Sequence, residues 1–259
     1  MIRNDYIRLN RLIATIVFLV SFIVYYDTMA PTVSYWDCGE FIAVSHTLGV
    51  PHPPGSPFFL LLGRIASMLP ITEDIAFRVN LLSPISSAFA VMFLYLVIVL
   101  LVANWKGGIK NYQDSLVSFG GGVIGSLTFA FTDSHWFNAV EAEVYAFSTF
   151  FTAIVVWLIL KWNEKADEIG NERYILIIAY MIGLATGLHL LNLLAIPFIA
   201  LIIYFKKYEP NWKTFGYTVA ITGIVFFLIH NVIIKGMPKI ADSIGVWGAA
   251  CLVLSVFVF

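Results

Sequence analysis

A succession of separated apolar runs constrains this chain more than any other feature, because a hydrocarbon core of about 30 Å is crossed by roughly 20 helical residues. Bounded by charges, proline or glycine, the runs fall at 12–30, 79–103, 115–132, 145–160, 174–188, 190–205 and 215–234, and an eighth begins near Gly245. Inside a bilayer no water meets the backbone N–H and C=O groups, so runs of this kind fold as self-satisfied helices. The chain is 60% hydrophobic and only 12% charged, about half the charge of an ordinary soluble domain. The expected fold class is therefore an all-α polytopic membrane protein of seven to eight transmembrane helices. Residues 1–259 form a single transmembrane domain in this reading, with a long loop at 31–78.

The stretch from Tyr174 to Phe205 is too long for one untilted span and carries Gly183, Gly187, His189 and Asn192 at its centre. It is read as two short helices joined by a tight turn. Basic residues test that choice, since cytoplasmic loops are enriched in Lys and Arg. With two helices there, eleven of the 15 basic residues lie on the side of the N-terminus and only Arg64, Arg78, Lys235 and Lys239 lie on the other. The bias places the N-terminus in the cytoplasm and the 31–78 loop on the outer face. Met1 to Ala30 also has the outline of a secretory signal, but Tyr25, Tyr26 and Pro31 fit a cleavage site poorly, so it is read as a retained span. The chain ends at Phe259 after 15 residues of the eighth run, which leads us to expect a last helix cut short or the N-terminal part of a longer protein. The long first outer loop has no counterpart in the second half, which argues against inverted-repeat transporter plans.

Net charge is −1 and no basic tract occurs, so nucleic acid is excluded as a partner. The two cysteines, Cys38 and Cys251, stand in neither a disulfide framework nor a metal-type spacing. His46, Asp133 and His135 also lack diagnostic spacing. No metal and no cofactor are predicted, a divalent metal being left without support.

Acidic residues sort oppositely to the basic ones. Asp27, Asp37, Glu40, Glu73, Asp74, Asp133, Glu141, Glu143 and Asp242 fall in outer loops or at span ends, several beside aromatic residues. A carboxylate held near a membrane surface loses solvation and needs a partner, a proton or a substrate. Between Trp36 and Val50, Phe41, Val44 and Leu48 recur at helical spacing, which predicts a short helix lying along the interface. Asp37 and Glu40 are then i and i+3 neighbours, about 5 to 6 Å apart at Cβ. Such a pair either shares a proton, a cation or a hydroxyl donor, or simply supplies acid to a helix N-terminus. Four prolines between Pro51 and Pro57 make a stiff turn that pins His52, as scaffold or as site. A helix from Phe58 to Leu69 carries Arg64 to meet a phosphate or a lipid headgroup. Glu141 and Glu143 stand two residues apart at the mouth of a span, so one is expected to face a site and the other to be solvated. His189 and Asn192, i and i+3, suit a polar cluster or helix-to-helix hydrogen bonds.

The run Trp36-Asp37-Cys38-Gly39-Glu40, continued by His46-Thr47-Leu48-Gly49-Val50-Pro51-His52-Pro53-Pro54-Gly55-Ser56-Pro57, resembles the signature of the bacterial glycosyltransferases of family 117. These are GT-C-type enzymes related to a vertebrate protein O-mannosyltransferase of the endoplasmic reticulum. Ala142-Glu143-Val144-Tyr145-Ala146 and Gly187-Leu188-His189 agree more weakly. The resemblance implies a polytopic enzyme of a bacterial inner membrane whose first outer loop carries a catalytic acid. Its donor would be a polyprenyl-phosphate sugar, mannose by this likeness, and its acceptor an exported protein. Family members continue into further spans and a soluble C-terminal region. Carried onto this chain, Asp37 is the expected base, and Glu40 either its partner or the residue that positions the acceptor. Glu143 would complete an acidic cavity, Arg64 would bind phosphate, and His46, His52 and His189 would position loop or substrate. The rival reading is a transporter or flippase for a lipid-linked substrate, which calls for ionisable residues along a mid-membrane path. A non-catalytic fragment is the third.

Overall fold

The computed structural model describes the backbone of residues 2–53 and 55–258, and the side chains of 5–53 and 55–248. Pro54 of the expected stiff turn, Arg3 of the charge count and Cys251 lie outside the described residues in backbone or side chain. Every regular element is helical. Two compact units meet near residue 195, one to Ala195 and one from Ile196.

In the first unit the central helix is α5 (Leu82–Trp105), which packs against α1 (Ile2–Asp27), α6 (Tyr112–Ala130) and α8 (Val144–Lys165). Small residues make that possible. Ser83, Ser86, Ser87, Ala88 and Ala90 are buried along α5, and Gly122 of α6 sits so close to Tyr95 and Val99 that a Cβ there would fall 2.7 Å from Val99 Cγ2. Helices in lipid gain by packing rather than by excluding water from one another, so close backbone approach at small residues carries the association. Hydroxyls add to it: Tyr25 donates to the Ala130 carbonyl at 2.8 Å, and Tyr95 to Asn10 Oδ1 at 2.9 Å. Around this pairing lies one apolar cluster that includes Val17, Tyr25, Val91, Tyr95 and Phe119.

A second cluster assembles the 31–78 loop on the bundle. Here α2 (Cys38–Thr47), α3 (Pro57–Met68) and α4 (Ile75–Asn80) bring Phe41, Ile42, Phe59, Leu60 and Val79 against Val144 and Phe151 of α8. Further contacts come from Ala185 of α9 (Glu172–Thr186) and from Leu188 beyond it. Gly63 fixes the approach of α3 to α2, since its missing Cβ would stand 2.3 Å from Ser45 Oγ. The short helix expected between Trp36 and Val50 is thus present as α2, and the 58–69 helix as α3.

Tyr174 to Phe205 divides as expected into α9 and α10 (Ala195–Lys207), joined by a 3-10 turn at Leu190–Leu194. The span count is lower than the seven to eight expected. Among the described residues five helices are long and apolar enough to cross a membrane, or six if α6 and α7 (Asp133–Ala139), bent by 70°, form one broken span. The difference has two sources: α9 has only 15 residues, and the run at 215–234 merges with the helix on its C-terminal side. In the second unit α11 (Trp212–Phe227) passes through a π-helical segment, Leu228–Ile234, into α12 (Gly236–Val258), which breaks at Gly245 with φ 79°. The break falls where the eighth run was expected to begin.

Asn80 ties the loop end together. Fully buried, its amide nitrogen donates to the carbonyls of Ala30 and Thr32, each at 2.9 Å, and its Oδ1 accepts from the Ala142 N–H at 3.0 Å. Asn80→Ala removes three buried hydrogen bonds and should cost about 3 kcal/mol. A fall in thermal unfolding temperature in detergent would register it, and an unchanged melt would refute the hub role.

Candidate active site

Asp37 stands at the N-cap of α2 and Glu40 in its first turn, the i and i+3 arrangement expected. Neither carboxylate turns inward to cap the helix. Asp37 makes no side-chain cap hydrogen bond, and Glu40 is taken by His52: the His52 backbone N–H donates to Oε1 at 2.7 Å and Nδ1 lies 2.7 Å from Oε2. His52 Nε2 is 4.0 Å from Asp37 Oδ2.

Local geometry explains how a residue twelve positions on returns to the start of the helix. Leu48 ends α2 in the left-handed conformation, φ 53°, and Val44 O accepts from both Leu48 and Gly49 N–H. The next four residues, Gly49 to His52, retrace the helix. Extended at about 3.3 Å each, they cover the roughly 12 Å that eight helical residues occupy at 1.5 Å rise. Pro51 enforces that extension, on itself and on Val50 before it. The stiff turn therefore does pin His52, and what it pins it against is Glu40.

The two oppositely charged neighbours shift each other. Hydrogen bonds from His52 hold the Glu40 carboxyl below the usual carboxylate range. Glu40 in turn raises His52 above the ordinary imidazole value, with a further contribution from Asp37. All three side chains keep substantial exposure, 59% for Asp37, so the cluster is open to an incoming molecule. One ligand atom from each of Asp37, Glu40 and His52 lies within 4.8 Å of the others, a set suited to a divalent cation when the imidazole is neutral. The spacing in sequence did not disclose it, because the third member arrives through the folded-back turn. Two acids at i and i+3 followed by a proline-flanked His is the signal that would have found it.

Behind this open cluster lie two buried acids. Glu141 and Glu143 precede α8 rather than sitting on it, and both are buried, at 2% and 6% exposure, so the expectation that one would be solvated is corrected. The argument from helical facing does not apply where the chain is not yet helical. Glu143 is the N-cap of α8 and accepts from the Val144 N–H at 3.3 Å. Burial pushes its pKa up to about 7, helped by Asp37 and Glu141 and opposed by His52. Glu141 Oε1 is buried without a hydrogen-bond partner. Its carboxylate also meets the Cys38 thiol, which burial and the two acids hold above its ordinary pKa.

The remaining expected site residues lie elsewhere. His46 is in the last turn of α2, roughly 13 Å along the helix from Asp37, and Arg64 Nη1 donates to the His46 carbonyl. Arg64 thus ties the end of α2 to α3. His189 starts the 3-10 turn, its Nδ1 accepting from the Leu191 N–H at 3.2 Å and its ring 5.2 Å from that of Tyr145. Asn192 is spent inside the fold, donating to the carbonyls of Ala185 and His189 and accepting from Ser148 and Thr152. Its role is helix-to-helix bonding. His135 is buried between the rings of Tyr25 and Phe129, apart from the acid cluster.

The three motif stretches nonetheless converge. Ser56 Oγ donates to the Leu188 carbonyl at 2.8 Å, and the Phe58 N–H donates to the Gly187 carbonyl at 2.8 Å. This joins the first stretch to the third, while Cys38 joins the first to the Glu141 to Glu143 segment.

Comparison with known proteins covers the same region. Residues 37–212, about two thirds of the chain, match the model described as the protein O-mannosyl-transferase TMEM260 N-terminal domain. The protein O-mannosyl-transferase tmem260 of Dictyostelium discoideum is 31% identical over 213 residues, which is 76% of this chain and 24% of that protein. The protein O-mannosyl-transferase TMEM260 of Mus musculus is 29% identical over 149 residues, 58% of this chain and 19% of its own length. The chain therefore spans a quarter or less of these relatives. No solved structure matches it. With the match beginning at Asp37 and running through all three converging stretches, the chain belongs to the TMEM260 N-terminal domain family.

Proposed function

We propose that this chain is the catalytic membrane part of a GT-C-type glycosyltransferase, akin to the bacterial family 117 enzymes. It moves mannose from a polyprenyl-phosphate donor to hydroxyls of exported proteins. The observation that carries the reading is the open Asp37–Glu40–His52 cluster, a carboxylate beside an ion-paired imidazole. The two relatives, both protein O-mannosyl-transferases by name, supply the reaction class. The excess of basic residues on the side of the N-terminus supports a cytoplasmic N-terminus and an outer-face site, in keeping with a bacterial inner membrane.

The acceptor hydroxyl oxygen attacks the anomeric carbon and its proton passes to an Asp37 carboxylate oxygen. The bond from the anomeric carbon to the phosphate oxygen breaks, and its electron pair leaves with the polyprenyl phosphate. His52, whose pKa Glu40 raises, faces Asp37 from 4.0 Å and in its protonated form stabilises the charge that grows on the departing phosphate. Glu40 is thereby a positioning residue for His52. Glu143 backs the cavity as a carboxyl that carries a proton near neutrality. Arg64 and His46, together at the far end of α2 and roughly 13 Å along it from Asp37, are assigned to lipid headgroups rather than to the phosphate at the reacting centre, and His189 to supporting the loop.

Asp37→Asn should abolish transfer of label from polyprenyl-phosphate mannose to a secreted acceptor in membranes while leaving expression intact. Retained wild-type activity would remove Asp37 as the base. Because His52 sits above its ordinary pKa, activity should fall as pH rises through that raised value, and Glu40→Gln, which removes the raising partner, should move the alkaline limb to lower pH.

The raised pKa of Glu143 also has a thermodynamic sign. The folded state favours the protonated carboxyl, so that stability is full below the ordinary value near 4.5 and declines as pH rises towards and past about 7. The stability of wild type relative to Glu143→Gln should drop across that window by up to about 3 kcal/mol. Parallel pH profiles of unfolding temperature for the two proteins would contradict the buried, protonated carboxyl.

A further inference from the structure

Trp36, immediately before the proposed base, carries two local costs that nothing in the described chain offsets. Its backbone is left-handed, φ 59°, a conformation that costs a non-glycine residue roughly 1–2 kcal/mol and is an outlier for so bulky a side chain. Its indole is 83% exposed. The other two non-glycine residues of positive φ, Leu48 and Ser56, each have a compensating bond, Leu48 as the αL cap of α2 and Ser56 through the Leu188 carbonyl. Strain that persists without internal compensation points to a partner outside the chain.

The surroundings select that partner. Asp37 follows Trp36 directly, with His52 4.0 Å from its carboxylate. An exposed indole on the residue next to an exposed carboxylate offers the two surfaces a hexose needs, which presents a C–H face to a ring and hydroxyls to an acid. In the proposed reaction the anomeric centre also gains cationic, oxocarbenium-like character, which an indole face stabilises. We infer that Trp36 is the platform on which the transferred sugar ring stacks, held in its strained backbone to present the indole beside Asp37. This rests on the glycosyltransferase reading and adds a sugar-binding residue to it.

Backbone strain makes the inference testable in an unusual way, since glycine adopts φ 59° without penalty. Trp36→Gly should melt at the wild-type temperature or higher, yet lose at least tenfold in kcat/KM with farnesyl-phosphate mannose as donor. Trp36→Phe should stay within about threefold of wild type, and Trp36→Leu should fall with the glycine variant. A leucine variant as active as the phenylalanine one would show that only apolar bulk at the membrane surface is needed, and would overturn the inference. So would full activity of Trp36→Gly. Equilibrium binding separates this from failure of the reaction itself. The wild-type chain should bind farnesyl-phosphate mannose more tightly than farnesyl phosphate, and Trp36→Gly should bind both alike. If the wild type shows that preference without transferring sugar, the catalytic reading fails and the platform stands; if it shows no preference, the platform fails.

Discussion

The carboxamide of Asn80 is where three distant stretches of chain meet: the segment after α1 through Ala30 and Thr32, the end of α4, and the segment before α8 through Ala142. An amide has two donors and an acceptor with lone pairs to spare, and in a fully buried site each must be used. Backbone that is not helical is tolerated at the edge of an apolar bundle only where something satisfies it. Asn80 does so for both the entry to the 31–78 loop and the entry to α8. Everything at the acid cluster hangs from those two entries, Asp37 and Glu40 from the first, Glu141 and Glu143 from the second.

Around that anchor, α2 is bracketed by strained backbone. Trp36 before it, Leu48 at its end and Ser56 at the start of α3 are the non-glycine residues of positive φ in the described chain. Each marks a reversal that a relaxed chain would make more widely. The reversal at Leu48 returns His52 over the first turn of α2. The reversal at Ser56 sends α3 back along α2, where Gly63 admits Ser45 at a distance no Cβ would allow. The outcome is a ten-residue helix with its N-terminal carboxylates left free of capping duty and turned towards the same space as an imidazole.

How much of this is legible in the sequence depends on the range of the forces involved. The apolar runs, α2, α3 and the division at Gly187 rest on periodicity and on local punctuation, and are readable. Asp37 and Glu40 are readable as a pair because i and i+3 is a property of a helix. His52 is readable as pinned, since proline acts on its neighbours, but its target is not, because nothing local says how far a four-residue extension reaches. Burial of both Glu141 and Glu143 escapes the sequence for a related reason: the facing rule holds only inside a helix, and the helix begins at Val144. Charge alone makes Arg64 a phosphate ligand, whereas the His46 carbonyl that takes one of its N–H groups comes from another helix. A hydropathy pattern counts the 15-residue α9, the bent α6 and the π-helical continuation of α11 as separate crossings, whereas among the described residues five or six helices have the length and composition to cross a membrane.

The division of the acids into an open pair and a buried pair bears directly on the proposed chemistry. Four carboxylates gathered at the starts of α2 and α8 would repel one another if all were charged and equally placed. Burial resolves the conflict by favouring the neutral form of Glu143, while the hydrogen bonds from His52 favour the charged form of Glu40. Asp37 is the most exposed of the three clustered side chains, with an imidazole of raised pKa on one side and a buried acid of raised pKa behind. In the proposed reaction the base takes a proton from the acceptor hydroxyl while the Glu40 charge is engaged by His52, and the imidazole that Glu40 holds is also the group assigned to the leaving phosphate. The separation of environments, rather than any single residue, is what turns a cluster of surface acids into a site suited to moving a sugar.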